Sequence, residues 1–556
     1  MKNQSEFLHL LVRKKYQKLH FRLLKAIISG RFTDFSGAKK RQLLLCLSRY
    51  EKRLKQWGTG VMTSVAMLFP AVAQTQPVPS GGEFRVNTTT PYRQITPSVA
   101  SDDDGNFVIA WESSTYGGGS NEIYAQRYNN SGLALGSEFL VSISTGEHKE
   151  PSVGMDSDGD FVITWISLLP GNYNYDIYAQ RFSNNGTPQG NLFQVNTYTI
   201  SYQGTPVIDM DSAGNFVIAW SSCSQDGSGC GIYTQKYNSE GVPQGTELQV
   251  NTYTTGAQTN PDIAMDNAGK FVVVWNSYEQ DGSNFGIYGQ LYNSIGESQG
   301  SEFLVNSYTA DKQFGPSIAM DNDGNFVIVW SGKAQDGDDT GVFSKRYNSA
   351  GLAQGEEFQV NIYTTSCQIF PSIAIDDSGD FVIVLASEGQ DGSSYGIYGQ
   401  AYNSAGAILI NEFQINTKTG DSQFRPQIAM DSDGDFIVTW QSYAQDGSYW
   451  GIYAQRYEKV LDIDFVEKES QTLAILQSFP NPVENDLTIQ LYSPTASPLK
   501  MILVDVLGRI IRNTIIEVQC GIQSIRVDLG HFPAGNYYIQ LTDGTETVIE
   551  KIIKNE

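Results

Sequence analysis

Short runs of alternating or continuously apolar residues recur along most of the chain, and each ends in Gly, Asn, Asp or Ser. Phe161-Val-Ile-Thr-Trp165, Phe271-Val-Val-Val-Trp275 and Phe436-Ile-Val-Thr-Trp440 are examples. Runs this short, rich in β-branched and aromatic residues between turn formers, predict strands. Their spacing is regular. Trp111, Trp165, Trp220, Trp275, Trp330 and Trp440, with Leu385 in the remaining slot, lie 54 residues apart once and 55 apart five times. One unit reads as four runs, Pro261–Asp266, Lys270–Trp275, Gly286–Tyr292 and Glu302–Asn306. The pattern predicts a four-stranded antiparallel sheet per unit, and seven such units predict a closed seven-bladed β-propeller.

The fourth strands indicate how the ring closes. After Tyr457 the expected Glu-Phe-x-Val-Asn is missing, and an orphan copy, Glu83-Phe-Arg-Val-Asn87, precedes the first full unit. The N-terminal strand is therefore expected to complete the last blade, which removes the open edges of a linear array. Asp-x-x-Gly joins the first and second strands, as in Asp211–Gly214, and Gln-Asp-Gly joins the second and third, as in Gln280–Gly282. The propeller is placed at 83–458, preceded by a linker at 74–82 and followed by another at 459–477.

Charge divides the molecule. Residues 1–57 carry 15 Lys and Arg against three acidic groups, and the rest carries 22 against 57. So acidic a body repels nucleic acid. The basic stretch leads into Val61–Phe69 and then Ala71-Val-Ala73. This is the order of a secretory signal, with residues 1–73 removed between Ala73 and Gln74. The helical periodicity of Leu10–Lys25 also fits a membrane-surface helix. No segment of the mature chain is apolar enough to span a membrane.

A second pattern begins near residue 478. Phe479-Pro-Asn-Pro482 with Leu487-Thr-Ile489, Val504-Asp-Val-Leu-Gly-Arg-Ile510, Phe532-Pro-Ala-Gly-Asn-Tyr-Tyr-Ile539 and Lys551-Ile-Ile-Lys554 follow in order at the C-terminus. In these residues the chain resembles the sorting domains of proteins exported by the bacterial type IX secretion system. The resemblance implies an immunoglobulin-like β-sandwich at 478–556 recognised by the outer-membrane translocon. It also implies release or attachment at the cell surface. The repeats resemble a unit of large secreted bacterial proteins, from which no activity carries over.

Candidate chemistry is sparse. The mature chain has two His, His148 and His531, in different domains, which leaves no triad and no ordinary zinc site. Asp156, Asp158 and Asp160, and again Asp431, Asp433 and Asp435, put three carboxylates in one turn and make Ca²⁺ the one candidate cofactor. The same turn carries Ala213 and Ala268 elsewhere, so it also forms as a plain turn. Gln94, Gln203, Gln258, Gln313, Gln368 and Gln423 share a slot that holds His148 in the second unit. They read either as blade-junction amides or as a sugar-binding collar. Asp226, Asp281, Asp336, Asp391 and Asp446 are expected to crown one face. Units one and two break the symmetry with Tyr116, Tyr173 and Tyr175, which marks a ligand-binding sector. Cys223 and Cys230 replace both members of a facing aromatic pair, Tyr278 with Phe285 in the next unit, and are expected to form a disulfide. Identical acids in every unit single out no catalytic pair. The expected role is therefore a non-catalytic binding or adhesion protein whose partner is an extracellular glycan or protein. The alternative is a secreted glycan-active hydrolase or lyase on the propeller's top face.

Overall fold

The computed structural model describes residues 77–114, 121–143 and 145–459, and most of 474–554 in short stretches. The Ala73–Gln74 cleavage point, the candidate helix Leu10–Lys25 and Tyr116 lie outside the described residues. Every regular element among them is a β-strand, so the protein is all-β and propeller-like.

Seven antiparallel sheets follow one another along the chain. Their first strands are Gln94–Ser101, Glu147–Met155, Gln203–Met210, Gln258–Met265, Gln313–Met320, Gln368–Ile375 and Gln423–Met430. Each buries its Trp, or Leu385, against the preceding sheet. Trp220 packs on Ile166, Ile177 and Ala179 of sheet two, and Trp165 on Ala110, Ile123 and Ala125 of sheet one. The series closes on itself, because Trp111 of sheet one packs on Ile437, Ile452 and Ala454 of sheet seven, with Val86 in the same core. Truncating a side chain this large in a packed core typically costs about 3–5 kcal/mol, which is why the Trp recurs.

The closing strand is Phe84–Arg85, paired with Ala454 and Tyr453. Val78–Pro79 pairs further along with Glu458 and Tyr457. The stretch 74–82, expected as a linker, thus contributes a strand. It belongs to the sheet because a fourth strand runs in two pieces around a bulge, as Pro188–Gln189 and Phe193–Gln194 do in sheet two.

Cationic struts brace neighbouring sheets. Arg127, Arg181 and Arg346 donate to the carbonyls of Asn184, Glu240 and Ser404 in the next sheet at 2.5, 2.6 and 2.6 Å. Lys236 and Arg456 do the same to Ser294 and Asn130. Leu291 stands in this place in sheet four. There a cleft of about 400 Å³ opens between sheets four and five, lined by Phe271, Leu291, Met320, Phe326 and Lys270.

The C-terminal part has two sheets, one ordered Ala474–Phe479, Asp486–Ser493, Gly521–Asp528 and the other Ile510–Ile516, Leu499–Asp505, Gly535–Thr542, Thr547–Lys554. Leu487, Ile489, Leu503, Ile539 and Ile552 share one core. The first of these strands starts inside the stretch read as the 459–477 linker.

Candidate functional site

The first strand of every sheet breaks register just before its Pro, as between Ile95 and Ser98. At each break the residue before Pro is left-handed: Thr96, Glu150, Thr205, Asn260, Gly315, Phe370 and Arg425. A bulge of this kind re-aims its side chain. Six of the seven are not Gly, and each such conformation costs on the order of 1–3 kcal/mol. In a chain that otherwise repeats itself, this one position changes at almost every unit. The breaks lie at the end of the sheets where the second-to-third-strand loops emerge, so the seven residues stand at one end of their sheets.

The sheets hold these residues through a partner on the preceding second strand. Gln441 Oε1 accepts the Thr96 N–H at 3.0 Å and Asn276 Oδ1 the Gly315 N–H at 3.0 Å. The Glu112 carboxyl accepts the Glu150 N–H, and Asn121 Nδ2 donates to Glu112 at 2.7 Å. In sheet two this slot is Ile166, which has no polar atom, and the Glu150 carboxylate itself accepts the Thr205 N–H at 3.0 Å. Glu112 and Glu150 thus adjoin across the first and second sheets. No other unit has an acid at either position. Glu112 is 4% exposed, and burial pushes its carboxyl up to about 7, with Lys149 and the Glu150 N–H opposing.

Around this pair Glu147 binds Lys149 at 2.6 Å. Tyr175 donates to Glu147, and Lys149 donates to the Tyr175 hydroxyl at 3.2 Å. Tyr175 meets Tyr202 edge-on, with ring centres 5.8 Å apart. Tyr173 is 97% exposed on the same loop. Of the expected Tyr sector, Tyr175 therefore stands beside the acids and Tyr173 projects away from any protein contact.

The other candidates are used internally. Asp226, Asp281, Asp336, Asp391 and Asp446 turn into their own loops. Asp281 Oδ1 accepts the Ser283 N–H at 3.2 Å, and a Cβ on Gly286 would stand 2.5 Å from its Oδ2. They form no outward crown. Asp156 Oδ1 accepts the N–H groups of Asp158 and Asp160, and Asp431 Oδ1 those of Asp433 and Asp435. Asp211 does the same for Ala213 and Asn215. Among the described residues no three His, Cys, Asp or Glu side chains converge on a metal position. In both turns one carboxylate oxygen of the first Asp is already taken by two turn amides. The Gln slot is buried: Gln94 and Gln203 accept from Trp111 and Trp220 at 2.9 and 3.1 Å. His148 Nδ1 meets Ser167 Oγ at 2.7 Å, and the same hydroxyl takes the Trp165 indole N–H. Cys223 and Cys230 are bonded through sulfur across facing positions.

Residues 477–555 match the family described as the secretion system C-terminal sorting domain. The chain is thus marked for export through the type IX route, to be secreted or held at the cell surface, and it engages that secretion system. No helix among the described residues is long and apolar enough to cross a membrane. No curated protein matches the chain. Similar solved structures include a fungal AA5-family alcohol oxidase in complex with copper (12% identity, 86% of this chain and 99% of that one, TM-score 0.42). They also include an endo-arabinase from Bacteroides thetaiotaomicron (14%, 53% and 98%, TM-score 0.31). An α-L-arabinanase from Penicillium chrysogenum complexed with arabinobiose is a third (12%, 68% and 100%, TM-score 0.39). At these values the likeness transfers no substrate, activity or residue.

The expected non-catalytic adhesion role is corrected. It rested on the premise that acids repeat identically in every unit, and Glu112 with Glu150 removes that premise.

Proposed function

We propose that this protein is a secreted glycan-active hydrolase working at the channel mouth of a seven-bladed β-propeller. The observation that carries the reading is the Glu112–Glu150 pair, which occurs in one sector and nowhere else in the ring. Glycoside hydrolysis needs two carboxyl groups, one holding a proton to give to the leaving oxygen. Glu112, raised to about 7, still carries its proton in a large fraction of molecules at neutral pH, unlike an ordinary carboxyl group, and is the acid. Glu150, half-buried on the neighbouring sheet, is the second carboxyl group, supporting attack at the anomeric carbon. Tyr175 and Tyr202 offer ring faces of the kind sugars pack against.

The remaining architecture is part of the same proposal. Residues 1–73 are a signal segment removed before Gln74, and the immunoglobulin-like C-terminal sandwich is recognised by the translocon and lost by cleavage within 459–477. Intact-mass measurement of secreted material tests this, and a full-length mass would refute it.

Reducing-sugar release from a panel of neutral and acidic polysaccharides tests the activity. Glu112→Gln and Glu150→Gln should each lower turnover by about 10²-fold or more, and wild-type activity should fall as pH rises through about 7. Absence of release across the panel, or full activity in both variants, would overturn the reading.

A further inference from the structure

Four consecutive members of the left-handed ring, from sheets six, seven, one and two, are Phe370, Arg425, Thr96 and Glu150, with φ between 52° and 54°. They form an arc in which an aromatic ring, a cation, a hydroxyl and an acid succeed one another. The other three members, Thr205, Asn260 and Gly315, are short and uncharged.

The aromatic end of the arc is built up. Phe370 meets Phe424 edge-on at 4.8 Å, and Phe424 meets Tyr395 edge-on at 4.8 Å. Phe370 keeps 38% of its surface exposed. The Arg425 guanidinium lies 5.6 Å over the Phe370 ring, and its Nη1 is 3.5 Å from Thr96 Oγ1. Among the described residues no carboxylate pairs with Arg425. An Arg stacked on an aromatic face is pre-oriented, and its planar fork matches a carboxylate. Arg93, also exposed, opens the first strand of sheet one beside Trp450 of sheet seven, at the same junction. In a mature body so rich in acid, this sector offers two cations and an open aromatic surface next to the acid pair.

We infer that the Phe370–Arg425 end of the mouth is a subsite for a uronic acid residue, the sugar ring lying on Phe370 and its carboxylate held by Arg425. The protein's substrate is then an acidic glycan, bound so that the next linkage along the arc meets Glu150 and Glu112. What happens at that linkage rests on the hydrolase reading; the binding does not.

The test is calorimetric titration of the secreted protein with tetragalacturonate and tetraglucuronate and with their carboxyl-reduced, neutral counterparts. At least one acidic oligomer should bind 10-fold or more tightly than its neutral form, with the difference shrinking as salt is raised. Arg425→Gln should abolish that preference while leaving neutral binding and the melting temperature unchanged, and Phe370→Ala should weaken acidic and neutral forms together. Equal binding of acidic and neutral oligomers, no binding of either, or a preference that survives Arg425→Gln would overturn the subsite. The Glu112→Gln variant keeps the two ideas apart, because it should retain the preference and lose cleavage. A preference without cleavage in the wild type would sink the hydrolase reading and leave the subsite. Cleavage of neutral glycans without a preference would do the reverse.

Discussion

Glu83 and Gln445 meet across 362 residues of chain, Gln445 Nε2 donating to Glu83 Oε1 at 2.5 Å, while Glu83 Oε2 accepts the Thr417 N–H at 2.7 Å. The same three-way clamp joins Gln280, Glu302 and Thr252, and again Gln335, Glu357 and Ser307. In those sheets the Glu arrives on the sheet's own fourth strand. In sheet seven it arrives from the other end of the chain.

Removing residues 83–87 should therefore open the seventh sheet and cause aggregation or a large fall in melting temperature. Glu83→Ala is the milder version, leaving the Thr417 amide without its partner, and should cost about 1–3 kcal/mol in urea unfolding. A deletion variant as soluble and stable as the parent would show that the ring does not depend on this strand.

The Cys223–Cys230 bond spans one hairpin. A loop that short should contribute only about 2–3 kcal/mol, so Cys223→Ser with Cys230→Ser should still fold with a modestly lowered unfolding midpoint. Peptide mapping without reductant should recover the two segments linked. Alkylation of both thiols in the secreted protein would contradict the bond.

Stability should rise on mild acidification. Burial raises Glu112, Asp209 and Asp431 to about 7 and Asp262 to about 6. Asp209 and Asp262 also tie sheets together, each taking a backbone N–H of the next sheet, from Met265 at 2.7 Å and Ile318 at 2.9 Å. A carboxyl group whose folded pKa exceeds its unfolded value binds more protons when folded, so stability falls as pH rises between the two values. Urea unfolding at pH 5.5 should give roughly 2 kcal/mol or more above the value at pH 8. The opposite sign would mean that these acids are ionised in the folded ring.

Leu291→Arg should restore the missing strut between sheets four and five by reaching the turn at Ser349 across the cleft. An exposed bond of this kind is expected to add about 0.5–1 kcal/mol, read as a small rise in melting temperature. A fall would mean that the cleft does not admit the longer side chain.

Much of this was legible because it repeats. The Trp period, the buried Gln slot and the stray Glu83–Asn87 segment announce themselves by comparison with their copies. Val78–Pro79 is legible on the same ground, since Val78-Pro79-Ser80-Gly81 aligns with Val242-Pro243-Gln244-Gly245. The site was hidden for the opposite reason. Glu112 and Glu150 depart from the repeat, and nothing in a strand pattern tells which departures meet across two sheets. The left-handed conformation before each Pro was equally invisible, because Thr, Phe and Arg do not announce it. The repeated Asp residues stand out instead, yet each spends one carboxylate oxygen on the amides of its own turn.

The pairing of Phe84 with Ala454 also fixes an order of events. Sheets one to six form from strands that are near neighbours in sequence, and loop closure over such short distances is fast. The seventh must wait for Tyr457, so Val78–Pro79 and Phe84–Arg85, the earliest of the described strands, are the last to find their partner. Until then the protein is an open arc with one unsatisfied edge at each end. Any machinery that threads the chain end to end would hold it in that unclosed state, and the circle would be drawn only after the far strand had passed through.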